Sequence, residues 1–524
     1  MACMLSALPT EVVLEVLAYL DIQILCSLQS LSRNWNDFIK ANESSIYRNA
    51  AILHRLLDSP YGTLSETKSL YSDRAMDGVN DWKDFCQKRL CLESGWTGKG
   101  PSSAHFHEAA GKRVHRLKVD EKVGIIITTA IEGGVVVADL YTDERLWGLS
   151  SAYVRPYAHC EYSNGYLVFD RVGGFKEVWR LASDAAGAER PTASSPDSEQ
   201  WLESEASARR YVSSTTRKGH FEPWALLRLP EHGRAFRLVY PTLLVASANS
   251  AFMWDVTTGE QLTTIRDTQR CGEGYMGGIN YVEVSDHYAI VCGSEKLRIF
   301  SRSDGSLLLD LSPDDLPWYT HSICLKEGTG QPLESSAVVV PQILEQAGGA
   351  RTPAFAEFCA AHISPCEHFL VAVVDFGQLV VVHDLEALLS RKVQVADCAA
   401  ILDLNPRDIG SSVLYLAFEN GKVGFATSLG IYVVVIDREV HRPDAPPFSA
   451  NDLSTLLSRL SVSRVMHFNN EELIDDLSCL QLSDTRLFFV WSSSDRTLPT
   501  AIQPATPSLS ESQFSVYSID FSPP

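Results

Sequence analysis

The chain has 524 residues and a mass of 57.9 kDa, room for about two to four domains or one repeat array. With 45% hydrophobic and 21% charged residues it can bury a sizeable core, which excludes wholesale disorder. A formal charge of −20 repels a phosphate backbone and an anionic membrane alike, which argues against nucleic acid and membrane as partners.

No apolar run reaches the roughly 20 residues that span a bilayer, and the start of the chain lacks a basic segment, apolar run and cleavage site. The 12 cysteines are scattered rather than framed like a disulfide scaffold, so they read as reduced thiols. The expectation is a cytoplasmic and/or nuclear protein.

Residues 5–57 read as helix, because apolar positions recur at three and four: Val13, Val16, Leu17, Leu20, then Ile24, Leu28, Leu31, then Trp35, Phe38, Ile39. Pro9 suits a first helical turn, and Asp21 and Ser32 are natural N-caps, so the spacing predicts three short helices with breaks near 21 and 32. Such a module carries more Leu, Ile and Val than it can cover by itself, so something else should cover them.

The run Leu8-Pro9-Thr10-Glu11-Val12-Val13, then Val16-Leu17, Tyr19-Leu20, Leu25, Leu28 and Leu31-Ser32-Arg33-Asn34-Trp35 resembles an F-box, assigned to residues 5–50. Ile22 departs from the family where Pro is frequent, and Val12 where Ile or Leu is commoner. The resemblance implies docking on a Skp-family adaptor, and through it on a cullin and a ubiquitin-conjugating enzyme. It further implies that Leu8, Pro9, Val12, Leu17, Leu20, Leu25 and Leu28 divide between adaptor contact and the module's own core.

A helical pattern continues over 51–100, through Trp82, Phe85, Leu90 and Leu92, and stops at Gly98 and Gly100-Pro101. It reads as a helical linker. From 105 to 524 the period changes to two, with β-branched runs between turns. Paired strands recur with the markers Ala138-Asp139, Trp179-Arg180, Trp254-Asp255, Phe300-Ser301, His383-Asp384 and Ile436-Asp437.

The marker steps are 41, 75, 46, 83 and 53 residues, against the period of about 40–45 of a WD-repeat propeller. The step of 83 predicts an additional blade around Trp318 to Val340, and the step of 75 one blade plus an insertion. Residues 183–223 and 326–353 read as long mobile loops. The body therefore resembles a degenerate WD-repeat propeller of seven or eight blades, only Trp254-Asp255 keeping the Trp-Asp pair. The fold class is a multidomain α plus all-β protein.

No catalytic set emerges. His107-Glu108 lacks the second His of a zinc-protease helix, and neither a phosphate-binding loop nor a Gly-x-Ser-x-Gly turn occurs. Cys359, His362, Cys366 and His368 resemble a zinc set in spacing but overlie the Ser364-Pro365 turn, so no metal or other cofactor is expected. The expectation is a non-catalytic substrate-recognition subunit of an SCF-type ubiquitin ligase, the alternative a non-degradative F-box and propeller scaffold. The protein substrate cannot be named; a phosphorylated segment read by arginines is one option, with Arg145, Arg266 and Arg298 as candidates.

Overall fold

A computed structural model describes residues 8–54, 56–57, 62–211, 217–318, 322–326, 338–346, 356–404, 415–427, 430–436, 459–466, 477–492 and 514–522. The chain divides into two compact units, Met1–Pro101 with Phe521–Pro524, and Ser102–Asp520.

The first unit is helical: α1 (Thr10–Ala18), α2 (Ile22–Leu31), α3 (Arg33–Ala41), α4 (Glu43–Leu53), α5 (Leu64–Ser69) and α6 (Trp82–Trp96). Pro9 occupies the N-cap of α1, one position earlier than its composition suggests. Ser32 caps α3, its Oγ accepting from the Trp35 amide at 3.3 Å, while Asp21 precedes α2 without a capping bond.

Residues 51–100 do not form a separate spacer. Val13, Leu17, Leu25, Ile39 and Tyr47 share one core with Tyr71, Met76, Trp82 and Phe85. The reason lies in α6, whose Trp82, Phe85 and Cys86 are buried and need the surplus apolar surface of the first four helices to cover them.

The second unit is a seven-bladed propeller. Its blades span 114–149, 160–228, 235–265, 279–311, 358–403, 415–465 and 479–520, the last completed by Ser103–His107 as its outermost strand. Ser103 pairs with Asp520 and His107 with Val516, so a strand from the start of this unit closes the ring.

Each described marker residue lies on or just after the third strand of its blade, Asp437 lying outside the described residues, and the recurring aspartate has a physical role. Asp139 Oδ1 accepts from the Tyr141 and Thr142 amides at 2.8 and 2.9 Å, and Asp255 Oδ1 from the Thr257 amide at 2.7 Å. The carboxylate thereby satisfies the turn into the fourth strand.

Among the described residues no additional blade stands between positions 318 and 340. The described strands there, Ser322–Leu325 and Leu344–Gln346, extend the outer edge of the fifth blade, and Val339–Gln342 that of the sixth. These runs are too short to build a sheet and pair with edges that already exist. The rest of the loop expected at 326–353 lies outside the described residues.

The insertion in the second blade is ordered over much of its length. Helices α7 (Ala182–Ala185) and α8 (Ser198–Arg210) separate its third and fourth strands, and the fourth begins at Phe221. A capping box between Asp197 and Gln200 starts α8, and Ser207 Oγ donates to the Gly148 carbonyl at 2.7 Å, fastening the helix to the outer strand of the first blade.

Candidate functional site

Two surfaces stand out. On the helical unit, α1 and α2 each have two faces. Val13 and Leu17 are four residues apart and turn inward, as do Ile22 and Leu25. Leu17 and Leu25 are 1% and 0% exposed and serve the core, so of the seven anticipated adaptor residues these two present no surface.

Leu8, Pro9 and Val12 are exposed, and Leu20 and Leu28 are half-buried. The outward sides of these helices also hold apolar residues that are not among the seven, Val16, Tyr19, Ile24 and Leu31, with Tyr19 and Leu31 at 69% and 68% exposure. Their recurrence away from Val13 and Leu17 on α1, and away from Ile22 and Leu25 on α2, was the available signal. Solvated apolar side chains on the outer sides of two consecutive helices make these helices a candidate interaction surface.

On the propeller, the inner strand of each blade contributes one residue to a common level of the central channel, two residues before the hairpin turn. In blade order these are Lys118, Glu161, Arg237, Glu283, His362, Ala417 and Gln481. Five of them form a chain across blade boundaries. Lys118 Nζ lies 2.8 Å from Glu161 Oε1. Arg237 reaches both acids, Nη1 at 3.2 Å from Glu161 Oε2 and Nε at 3.1 Å from Glu283 Oε1. His362 Nδ1 lies 2.5 Å from Glu283 Oε2. Gln481, on the seventh blade, joins the first blade separately, accepting from the Val119 amide at 2.9 Å and donating to its carbonyl at 3.1 Å.

Glu161 and Glu283 are buried, and burial pushes both carboxyls up. Lys118 and Arg237 outweigh that for Glu161, and Arg237 and His362 for Glu283, so both are held below the usual carboxylate range. Burial lowers the Arg237 guanidinium, but Glu283, foremost among its neighbours, holds it well above its ordinary value. The ring is a saturated electrostatic network.

Below the ring, where the inner strands end, lies a chamber of about 420 Å³. Its wall includes Lys118, Arg237, Glu283, Phe418, Glu419 and Leu482, combining apolar surface with charge.

The arginines considered for phosphate reading do not converge. Arg298 is buried and bound to Asp310 and the Thr268 carbonyl, Arg145 is exposed on the outer strand of the first blade, and Arg266 follows the outer strand of the third. His362 turns to Glu283 rather than toward Cys359 or Cys366. Among the described residues no three His, Cys, Asp or Glu side chains form a metal-holding group, and no helix is long and apolar enough to cross a membrane.

Residues 5–46 match the family model described as the F-box domain, and the chain thus carries an F-box ahead of a seven-bladed propeller. Among solved structures it is similar to the WD40 repeats of RRP9, at 10% identity and a TM-score of 0.43, covering 80% of this chain and 97% of that one. A search of curated proteins gave no match.

Proposed function

We propose that the chain is a substrate receptor of an SCF-type ubiquitin ligase. In this reading the F-box docks on a Skp-family adaptor, which joins it to a cullin, and the propeller receives a protein substrate. The observation that carries the reading is the outward face of the F-box, where Leu8, Val12, Val16, Tyr19, Ile24 and Leu31 remain exposed although Val13, Leu17 and Leu25 fill the core behind them. Docking on a groove would bury a few such anchors, which is how helical motifs gain most of their binding energy.

The receptor needs no chemistry of its own. Holding a substrate beside a charged ubiquitin-conjugating enzyme makes the transfer effectively intramolecular, so effective concentration does the work. We place this action in the cytoplasm or nucleus.

The test has two parts. Purified adaptor should co-elute with the full chain and fail to do so with Leu8→Ala/Pro9→Ala, and loss of the protein should raise the abundance of a protein bound by the propeller. Adaptor binding with unchanged partner abundance would identify a scaffold instead.

A further inference from the structure

The channel ring has one position without a polar side chain, Ala417 on the sixth blade. Two residues on, and therefore on the same side of the same strand, Glu419 stands at the chamber wall. Glu161 and Glu283 are each held by basic partners, whereas the Glu419 side chain makes no hydrogen bond or ion pair among the described residues, although Lys422 is its cross-strand neighbour. It is enclosed by the chamber yet open to solvent.

The charges around the chamber are unequal in availability. Its two constant cations, Lys118 and Arg237, are already taken by Glu161 and Glu283, and the lining adds two more carboxylates, Asp286 and Glu419. An arriving phosphate would meet free carboxylates and engaged cations. A cation would meet the reverse.

We propose that the chamber binds a lysine or arginine side chain of a protein partner, with Glu419 as its counter-ion and the small Ala417 leaving room for it. This rests on the reading of the propeller as the substrate-receiving domain. The aliphatic stem of such a side chain suits the apolar part of the wall, Phe418, Leu480 and Leu482, while its head reaches the carboxylate. Burial foremost, with Asp484 adding repulsion, pushes the Glu419 carboxyl up against the opposing pull of Arg237 and Lys422, and an arriving cation would favour its ionised form.

The test uses the full chain and labelled Gly-Ser peptides that differ in one central residue: lysine, arginine, norleucine or phosphoserine. Fluorescence polarisation should show the lysine or arginine peptide binding at least about tenfold more tightly than the norleucine and phosphoserine peptides, with affinity falling as salt is raised. Glu419→Gln should lose at least about tenfold, and Ala417→Leu should weaken binding by filling the space without touching the charge. Thermal melting of both variants checks that they fold. Tighter binding of phosphoserine, equal or absent binding of all four peptides, or full affinity in a folded Glu419→Gln would each overturn the proposal. A chain that still co-elutes with adaptor and controls a partner's abundance, yet ignores the cationic peptides, would lose this inference and keep the proposed function.

Discussion

Arg237 donates from Nε to Glu283 Oε1 at 3.1 Å, across the boundary between the third and fourth blades, while its Nη1 holds Glu161 on the second. One guanidinium therefore compensates two buried carboxylates and ties three blades together. Removing it leaves both acids without their shared partner, and losing one member of a buried ion pair costs about 3–5 kcal/mol. Arg237→Met should destabilise the propeller by about that amount in denaturant unfolding. Adding Glu161→Gln and Glu283→Gln to Arg237→Met should restore part of it, since Lys118 and His362 lose their acidic partners in turn. A neutral Arg237→Met would show that the ring contributes nothing.

Acid should weaken the closing seam of the propeller. His107, on the strand that completes the seventh blade, is buried with Nε2 2.9 Å from Ser518 Oγ, and burial, helped by Arg486, pushes its pKa down to about 3. An unfolded histidine titrates near ~6.5, so the folded state binds fewer protons between those values. Its contribution is fully present above ~6.5 and is lost as pH falls toward the folded value. Relative to His107→Gln, the wild-type chain should lose up to about 1.4 kcal/mol per pH unit below ~6.5. Parallel stability curves for the two chains would contradict this.

The same strand makes a mechanical prediction. Deleting Ser103–His107 leaves Phe514–Asp520 as a bare edge, and bare edges pair with other chains. The deleted chain should melt earlier and aggregate, as read by light scattering during thermal unfolding. An unchanged melting curve would mean that the closure is dispensable.

Within the F-box, core and surface should separate cleanly. Leu17 is sealed among Val13, Leu25 and Phe85, so Leu17→Ala should cost about 2–5 kcal/mol. Leu8 lies at the surface, and Leu8→Ala should stay within about 0.5 kcal/mol of wild type in denaturant unfolding. Comparable losses at both positions would show that the outward face is not free.

Much of this organisation was legible in the sequence because it is periodic. Apolar residues three and four apart marked the F-box helices, and the aromatic or apolar residue before each turn marked six third strands, since an aspartate such as Asp139 or Asp255 satisfies the turn that follows. Spacing failed where strands join a sheet begun elsewhere: Ser322–Leu325 and Val339–Gln342 extend neighbouring blades, so the step of 83 residues does not contain two blades. Helix α8 was missed because Ser198–Arg210 has little apolar face, although Asp197 followed by Gln200 three positions later is a capping-box signal. The channel ring was invisible, since its residues come singly from seven strands and meet only once the propeller closes.

The outward face of the F-box is tested most directly by the equilibrium affinity of purified Skp-family adaptor for the full chain, measured for wild type, Val12→Asp, Tyr19→Asp and, as a distant control, Leu202→Asp on α8, another exposed apolar residue. Wild type and Leu202→Asp should bind alike, while Val12→Asp and Tyr19→Asp should each lose at least about tenfold without loss of thermal stability. No binding by the wild-type chain, or full affinity in Val12→Asp and Tyr19→Asp, would contradict the assignment.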